Sequence, residues 1–329
     1  EVRLLGISTV HGNQTVEKTT RNALAVHYLA GLPPSVRIVQ GSASPLLRHV
    51  TGCEEIHGSS GLDTAHPERN LMPCDDVLQA YSDDNGGILA NSSLRNSPAY
   101  PSQPTSEPEA AVTLMYRAIA AHDGPVALVC TGACTNAALL FSVYPQVKKK
   151  LEQVVLMGGA LGMGNTSPCA EWNIQIDPEA AQIVFGSGVK VIQVPLETTH
   201  TVLVTEEVLE RIRALGETTN SSKLPLYVCD LLTFFANTYR DVFSFPSPPL
   251  HDPLTIAYIL APDLFTTKFL NVEVETSSSL SPGQTVVDYF GTSGRTPNTT
   301  VCLKVDVEGF WELMVAAVER ASAAHSARG

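Results

Sequence analysis

A histidine and an aspartate stand side by side after a proline-rich segment, at His251 and Asp252. A histidine titrates near neutral pH and can serve as a general acid, and a neighbouring carboxylate suits a hard metal ion. Pro253 follows, and an Asp-Pro pair before an apolar run is also typical of an N-cap and a first helical residue. The helix start explains Asp252 but not His251. For the pair alone, the structural interpretation is favoured over the catalytic one.

A second polar segment, Asn165–Asn173, contains two amides, the carboxylate of Glu171 and the indole of Trp172. Amides and carboxylates suit sugar hydroxyls, because each hydroxyl both donates and accepts a hydrogen bond. Trp172 would add an apolar surface. The alternative is a helix-entry loop in which an asparagine and Asp177 cap the following helix. The segment by itself supports both interpretations equally.

Short apolar runs, each expected to form a strand, alternate with helical patterns around these residues. Strands are expected at Val2–Thr9, Val36–Val39, Val126–Cys130, Val154–Met157 and Val189–Val194, and helices at 16–29, 109–121, 136–151 and 178–186. Strands buried on both faces have this uniform apolar character. The sequence therefore predicts an α/β fold with a mostly parallel sheet flanked by helices. Ligands bind beyond the carboxyl ends of such strands, so the loops after them should converge on one rim.

The C-terminal part has a different pattern. Thr267–Glu275 and Thr299–Val307 are expected to form a small antiparallel excursion, joined by a linker rich in Gly, Ser and Pro. Helices are expected at Pro253–Leu260 and Phe310–Ala323, the second with an apolar face. We expect one domain over residues 1–329, and the polar segment 67–108 is expected to be a mobile insert.

Composition excludes several classes of protein. The 329 residues are 44% hydrophobic and carry a net charge of −12, which excludes a disordered chain and argues against nucleic-acid binding. No apolar run reaches the ~20 residues of a membrane span. Seven cysteines, an odd number without a CxxC pair, fit a reducing compartment, so we expect a cytoplasmic protein. The phosphate-loop, GxSxG and zinc-ligand patterns are absent from the sequence.

Nine stretches together point to a known family. They are LLGISTVHGN, TTRNAL, IHGSSGLD, TGACTN, VLMGGALGMGN, AEWNIQIDPEAA, PLETTH, FFANTYRDVF and PPLHDPL. In this order they cover nearly the whole chain apart from the expected insert. The chain resembles the inosine/uridine-preferring nucleoside hydrolase family, and most closely its uridine nucleosidase branch.

The resemblance implies a parallel α/β core and hydrolysis of the N-glycosidic bond of ribonucleosides in nucleoside salvage. It also implies a Ca²⁺ ion that holds the ribose 2′- and 3′-hydroxyls and the attacking water. The transition state would resemble an oxocarbenium ion, as in glycoside hydrolysis. A general acid near the base would protonate the leaving group. Members of the family are usually homodimers or homotetramers, so we expect a homo-oligomer.

The resemblance also assigns roles to individual residues. His251 corresponds to the leaving-group acid, and Asp252 and the backbone carbonyl of Thr131 correspond to Ca²⁺ ligands. The residues expected at the ribose are Asn13, Met157, Asn165, Glu171, Trp172 and Asn173. Trp172 stands at a position where the family usually has phenylalanine. Those expected near the base are His57 and Tyr239.

One family motif has no counterpart in the printed sequence. In the family, an aspartate cluster with the pattern DxDxGxDD ahead of the GIST-like strand supplies most Ca²⁺ ligands and the base that activates water. Here the sequence begins at Glu1. We therefore expect weak Ca²⁺ binding, no measurable hydrolysis by this polypeptide and a gap in the sheet. The alternative function is that of a non-catalytic nucleoside-binding or scaffold relative.

Overall fold

The computed structural model describes residues 2–33, 35–66, 110–218, 224–243 and 247–326. The expected insert at 67–108 lies outside these residues. Within them, no helix is both long enough and apolar enough to cross a membrane.

The described residues form strands and helices in alternation. The strands are β1 Gly6–Thr9, β2 Arg37–Gln40, β3 Val126–Cys130, β4 Leu151–Met157, β5 Val191–Val194, β6 Phe265–Val274, β7 Thr285–Asp288 and β8 Thr299–Val305. The helices are α1 Val16–Leu29, α2 Glu54–His57, α3 Ala111–Ala120, α4 Thr135–Val143, α5 Trp172–Gln175, α6 Pro178–Phe185, α7 Leu196–Thr199, α8 Glu206–Thr218, α9 Leu224–Phe243, α10 Pro253–Leu260 and α11 Val307–Ser326.

Six of these strands form the main sheet, in the order β3-β4-β5-β8-β6-β7. The first four are parallel, whereas β6 runs antiparallel to both β8 and β7. This confirms the mostly parallel α/β fold and the antiparallel excursion. Among the described residues, β1 and β2 form a separate parallel pair.

Hydrophobic cores cover both faces of the main sheet. Val154 and Leu156 of β4 pack into one core with α4 and α6, and Val155 points into the other, which α8, α10 and α11 complete. Side chains alternate between faces along a strand, so an apolar run such as β4 serves both cores. The expected apolar face of α11 is confirmed, because Phe310 and Trp311 are buried.

The structure corrects several expected boundaries. The helix expected at 136–151 ends at Val143, because Pro145 begins a 3₁₀ helix, Pro145–Lys150, and Leu151 already belongs to β4. Proline lacks an N–H and cannot continue an α-helix. Strand β7 lies within the segment expected to be a linker, and β1 is shorter than the expected Val2–Thr9.

Asn136 connects the small sheet to the large one. This buried side chain lies in the first turn of α4, directly after β3. Its Nδ2 donates to the Thr9 carbonyl at 2.8 Å and to Ser8 Oγ at 3.3 Å, and its Oδ1 accepts the Ser42 N–H at 2.9 Å. One amide therefore holds the carboxyl end of β1 against the helix that follows β3.

We predict that Asn136→Ala lowers the free energy of unfolding by about 2 kcal/mol, because it leaves the Ser42 N–H without this acceptor and removes the link to β1. Urea denaturation measures the change. The control is Ser142→Ala on the same helix, whose hydroxyl bonds only its own helix at Ala138. Equal losses in both variants would contradict the connecting role of Asn136.

Candidate active site

The loops after β4 and β5 are bonded to each other at the carboxyl edge of the main sheet. Gln193 Nε2 donates to the Gly158 carbonyl at 3.1 Å, and the Leu196 N–H donates to the Gly159 carbonyl at 3.0 Å. Gly159 has a φ of 76°, and a Cβ there would lie 2.4 Å from Gln193 Nε2. Only glycine fits this turn. The expected rim is therefore formed by tightly joined loops.

Glu171 lies under this rim and is 2% exposed. Its Oε2 accepts the N–H groups of Gly159 at 3.0 Å and Ile174 at 3.2 Å, and its Oε1 accepts the Asn173 N–H at 2.9 Å. It therefore caps helix α5 and also fixes the loop after β4. Burial raises the pKa of Glu171 to about 7 against the opposing effect of these donors, and Asp252 adds to the rise.

Two amides expected at the ribose lie beside Glu171. Asn165 Oδ1 accepts the Trp172 N–H at 3.0 Å, and Asn173 Nδ2 donates to the Met157 carbonyl at 3.1 Å. Each amide thus has one atom engaged in holding the backbone. Asn165 Nδ2 and Asn173 Oδ1 have no partner among the described residues. These two atoms can bind a ligand hydroxyl without disturbing the loop.

The indole of Trp172 presents an unusual polar atom. Its Nε1 is buried and has no hydrogen-bond partner within the described ranges. A buried N–H without an acceptor costs about 1–3 kcal/mol. A ligand oxygen that reached Nε1 would remove this cost.

His251 lies at the centre of a second group of side chains. Its Nε2 is 3.0 Å from the Tyr239 hydroxyl, and its Nδ1 is 2.7 Å from Thr199 Oγ1. The His200 ring packs edge-on against it, with 5.5 Å between centroids. Burial, together with His200 and His57, lowers the pKa of His251 to about 3, so the imidazole is neutral at pH 7.

His57 and Tyr239, the residues expected near the base, both lie beside His251. His57 ends helix α2 and packs edge-on against Phe235 of α9 at 5.2 Å. Burial lowers the pKa of His57 to about 4. Burial also raises the pKa of Tyr239, and the charges of Asp252, Cys53 and Glu171 raise it further. Tyr239 therefore lies within electrostatic range of both carboxylates.

Asp252 occupies the N-cap position of α10, but its side chain makes no capping hydrogen bond. The expectation that its carboxylate caps the helix is wrong. Its backbone is helical, with φ −60° and ψ −39°, whereas a capping side chain normally requires an extended backbone. Instead Asp252 and Thr131 line one cavity of about 370 Å³, otherwise bounded by apolar residues of α10 and α11. Loss of hydration raises the pKa of the Asp252 carboxyl to about 7, although the residue as a whole is exposed.

These contacts bring most of the expected residues together. Glu171 and Asp252 influence each other electrostatically, and Tyr239 connects them to His251. For Asn13, the structure shows that its backbone carbonyl accepts the Cys53 N–H at 3.1 Å. Thr199 was not predicted as a site residue. Its position in the PLETTH stretch, directly after β5, is the signal that could have identified it.

The described residues do not fit a complete Ca²⁺ site. Calcium takes about 6–8 oxygen ligands, and the resemblance assigns only two of the described residues as ligands, Asp252 and Thr131. The cavity that they line is almost entirely apolar. Within the ranges that the structure describes, no group of three or more His, Cys, Asp or Glu side chains is arranged to hold a metal ion. These residues supply only part of a coordination shell.

Comparison with known proteins identifies the family to which the chain belongs. The sequence model of the family described as "Inosine-uridine preferring nucleoside hydrolase" matches residues 1–312. The chain belongs to this family. A "Probable ribonucleoside hydrolase" of Dictyostelium discoideum is 42% identical over 326 residues, covering 96% of this chain and 86% of that protein. The family resemblance inferred from the nine stretches is thereby confirmed.

Two further relatives agree with this family. The "Pyrimidine-specific ribonucleoside hydrolase RihA" of Escherichia coli O81 (strain ED1a) is 38% identical over 317 residues, covering 95% of this chain and 89% of that protein. Among solved structures, the "Purine-Preferring Ribonucleoside Hydrolase from Gardnerella vaginalis" superposes with a TM-score of 0.75 and 26% identity, covering 99% of this chain and 92% of that chain. The nucleoside hydrolase fold is therefore shared.

The buried carboxylate of Glu171 generates a prediction on pH dependence. Its pKa is about 7 in the folded state, against an ordinary value of 4.5. The folded state thus binds this proton more tightly than the unfolded state does. The resulting stabilisation is complete below pH 4.5 and is lost as the pH rises to 7.

We predict that Glu171→Gln removes this dependence. Relative to the variant, the wild-type chain should lose about 3 kcal/mol of unfolding free energy between pH 4.5 and 7.5. Urea denaturation at a series of pH values measures it, with Glu152→Gln at an exposed position of β4 as control. Parallel pH profiles for wild type and Glu171→Gln would refute the prediction.

Proposed function

We propose that this protein hydrolyses the N-glycosidic bond of ribonucleosides to ribose and free base. The observation that carries the proposal is the convergence of Glu171, Asp252 and His251 around Tyr239, with Asn173 bonded to Glu171, within a member of the nucleoside hydrolase family. Its relatives named above are described as ribonucleoside hydrolases. A ribonucleoside is therefore the proposed substrate.

The two groups of side chains suit the two halves of a nucleoside. The free amide atoms of Asn165 and Asn173, with Glu171 between them, form a polar surface for ribose hydroxyls. The bond that breaks joins the ribose C1′ to a base nitrogen, and positive charge develops on the sugar as it does. Nearby carboxylates such as Glu171 and Asp252, when ionised, stabilise that charge.

His251 and Tyr239 form the surface proposed to face the base. A departing base gains negative charge and leaves more readily once a proton reaches it. The imidazole of His251 is neutral at pH 7, and its Nε2 bonds the Tyr239 hydroxyl. We propose that the proton reaches the base through this pair, with His251 as the general acid after it takes up a proton.

A second candidate function rests on the incomplete metal site. If the cavity binds Ca²⁺ weakly, the protein could hold a nucleoside without cleaving it. The Ca²⁺ dependence, the homodimer or homotetramer and the cytoplasmic location remain predictions. The small number of oxygen ligands among the described residues favours weak Ca²⁺ binding.

We predict that His251→Ala, in the natural gene product, slows inosine and uridine hydrolysis by about 10²–10⁴-fold. It should spare p-nitrophenyl riboside, because p-nitrophenolate leaves without protonation. Chromatography of released base and absorbance of nitrophenolate measure both rates. The exposed His49→Ala is the control.

Each outcome of this assay has a defined meaning. Equal loss on both substrates would remove His251 as the acid. Saturable nucleoside binding by the gene product without release of base would favour the binding function. If the gene product neither binds a nucleoside nor releases a base, both functions are contradicted.

We predict that isothermal titration of the 329-residue polypeptide with Ca²⁺ gives a Kd no tighter than about 1 mM, the weak end of the range for protein Ca²⁺ sites. The reason is that Asp252 and Thr131 leave most of the coordination shell unfilled. Asp252→Asn should change little. A tighter Kd that Asp252→Asn abolishes would show a complete site and contradict the prediction.

A further inference from the structure

Thr199 is completely buried and lies at the last position of α7, directly after β5. Several bonds fix this short helix. Glu197 accepts the N–H groups of Leu161 and Gly162, both at 2.9 Å, and Thr198 Oγ1 donates to the Cys302 carbonyl at 2.7 Å. The hydroxyl of Thr199 therefore occupies a rigid position from which it contacts His251.

The hydrogen bonds around Thr199 have a consistent direction. Thr199 Oγ1 lies 3.2 Å from the Leu196 carbonyl, which can only accept. A hydroxyl that donates its one hydrogen to this carbonyl accepts from His251 Nδ1 at 2.7 Å. This arrangement requires the ring hydrogen on His251 Nδ1 and leaves Nε2 to accept from the Tyr239 hydroxyl at 3.0 Å.

Packing fixes the plane of the imidazole ring. The His200 ring meets it at 66°, and the Tyr239 ring lies 6.1 Å away between centroids. A neutral imidazole has two tautomers, and a bond to one nitrogen decides which nitrogen is free. Here the partner of Nδ1 is the hydroxyl of Thr199, a completely buried residue.

We propose that Thr199 is a positioning residue that fixes His251 in the Nδ1–H tautomer, with Nε2 directed at Tyr239. In this tautomer, the nitrogen that can take up a proton faces the side proposed to hold the base. In the other tautomer, it would face Thr199 and α7. The kinetic part of this inference rests on the proposed function, whereas the structural part does not.

The structural part is tested by NMR of the 329-residue polypeptide labelled with ¹⁵N-histidine. Two-bond ¹H–¹⁵N correlations distinguish the protonated ring nitrogen from the bare one, and His251→Gln identifies the His251 signals. We expect Nδ1–H in the wild type. Thr199→Val should shift His251 to the Nε2–H form or a mixture, and Thr199→Ser should restore Nδ1–H.

Thr201→Val is the matched control. Thr201 Oγ1 makes the same kind of backbone bond three residues back, to the Thr198 carbonyl at 2.7 Å, and contacts no histidine among the described residues. Thr201→Val should leave the His251 signals unchanged. An Nε2–H tautomer in the wild type would overturn the proposal, and this outcome does not depend on whether Thr199→Val folds. Retention of Nδ1–H in Thr199→Val would overturn it as well.

The kinetic part uses the natural gene product. Thr199→Val should lower kcat for inosine or uridine by about 10–100-fold, the size of effect that groups orienting a functional histidine have, and leave KM within about 3-fold. It should spare p-nitrophenyl riboside, and Thr199→Ser should restore kcat. An unchanged kcat in Thr199→Val would overturn the role in catalysis. Absence of hydrolysis in the wild type would refute the proposed function and leave the tautomer result standing.

Discussion

The buried carboxylate of Glu171 is the constraint on which the geometry of the candidate site depends. It accepts three backbone N–H groups from two segments that are distant along the chain, the turn at Gly159 and the start of α5. Without these bonds the turn and the helix would each leave buried donors unsatisfied. The same burial raises the pKa of Glu171 to about 7. The free energy of unfolding and the protonation of the site therefore both depend on this residue.

Tyr239 brings the two groups of side chains into one site. Its hydroxyl bonds His251, and both Asp252 and Glu171 raise its pKa. The long helix α9 that carries Tyr239 also contacts His57 through Phe235. Under the proposed function, the sugar and the base of a bound nucleoside would therefore contact different elements of the fold. The parallel order of β3, β4 and β5 brings these elements to a common edge.

The fold was largely predictable from sequence because buried parallel strands are uniformly apolar. Val126–Cys130 is a strand with the expected bounds, and helix α10 begins at Pro253 as expected. Strand β7 was missed because Thr285–Asp288 is only four residues long and follows a segment with strong turn signals, although it pairs with the preceding strand β6. Such a short strand gives little local signal.

The candidate site was less predictable from the residues alone. The segment with Asn165 and Glu171 could equally have been a helix-entry loop capped by an asparagine and Asp177, and the structure shows that Asn165 and Glu171 both accept backbone N–H groups. Their selection depended on the family resemblance. Thr199 received no role because its partner, His251, lies 52 residues further along the chain. Side-chain chemistry identifies candidates, but tertiary packing decides which atoms meet.

The way in which the two groups of side chains are anchored has an evolutionary consequence. Residues on the proposed sugar side are bonded to the backbone of the rim, so replacing Glu171 or Asn173 would also damage the scaffold. On the opposite side, Tyr239 and Phe235 project from a single helix and meet their neighbours through side chains. Substitution there leaves the rim intact. Under the proposed function, differences in the choice of nucleobase are therefore expected to accumulate on α9 while the proposed pentose-binding framework stays unchanged.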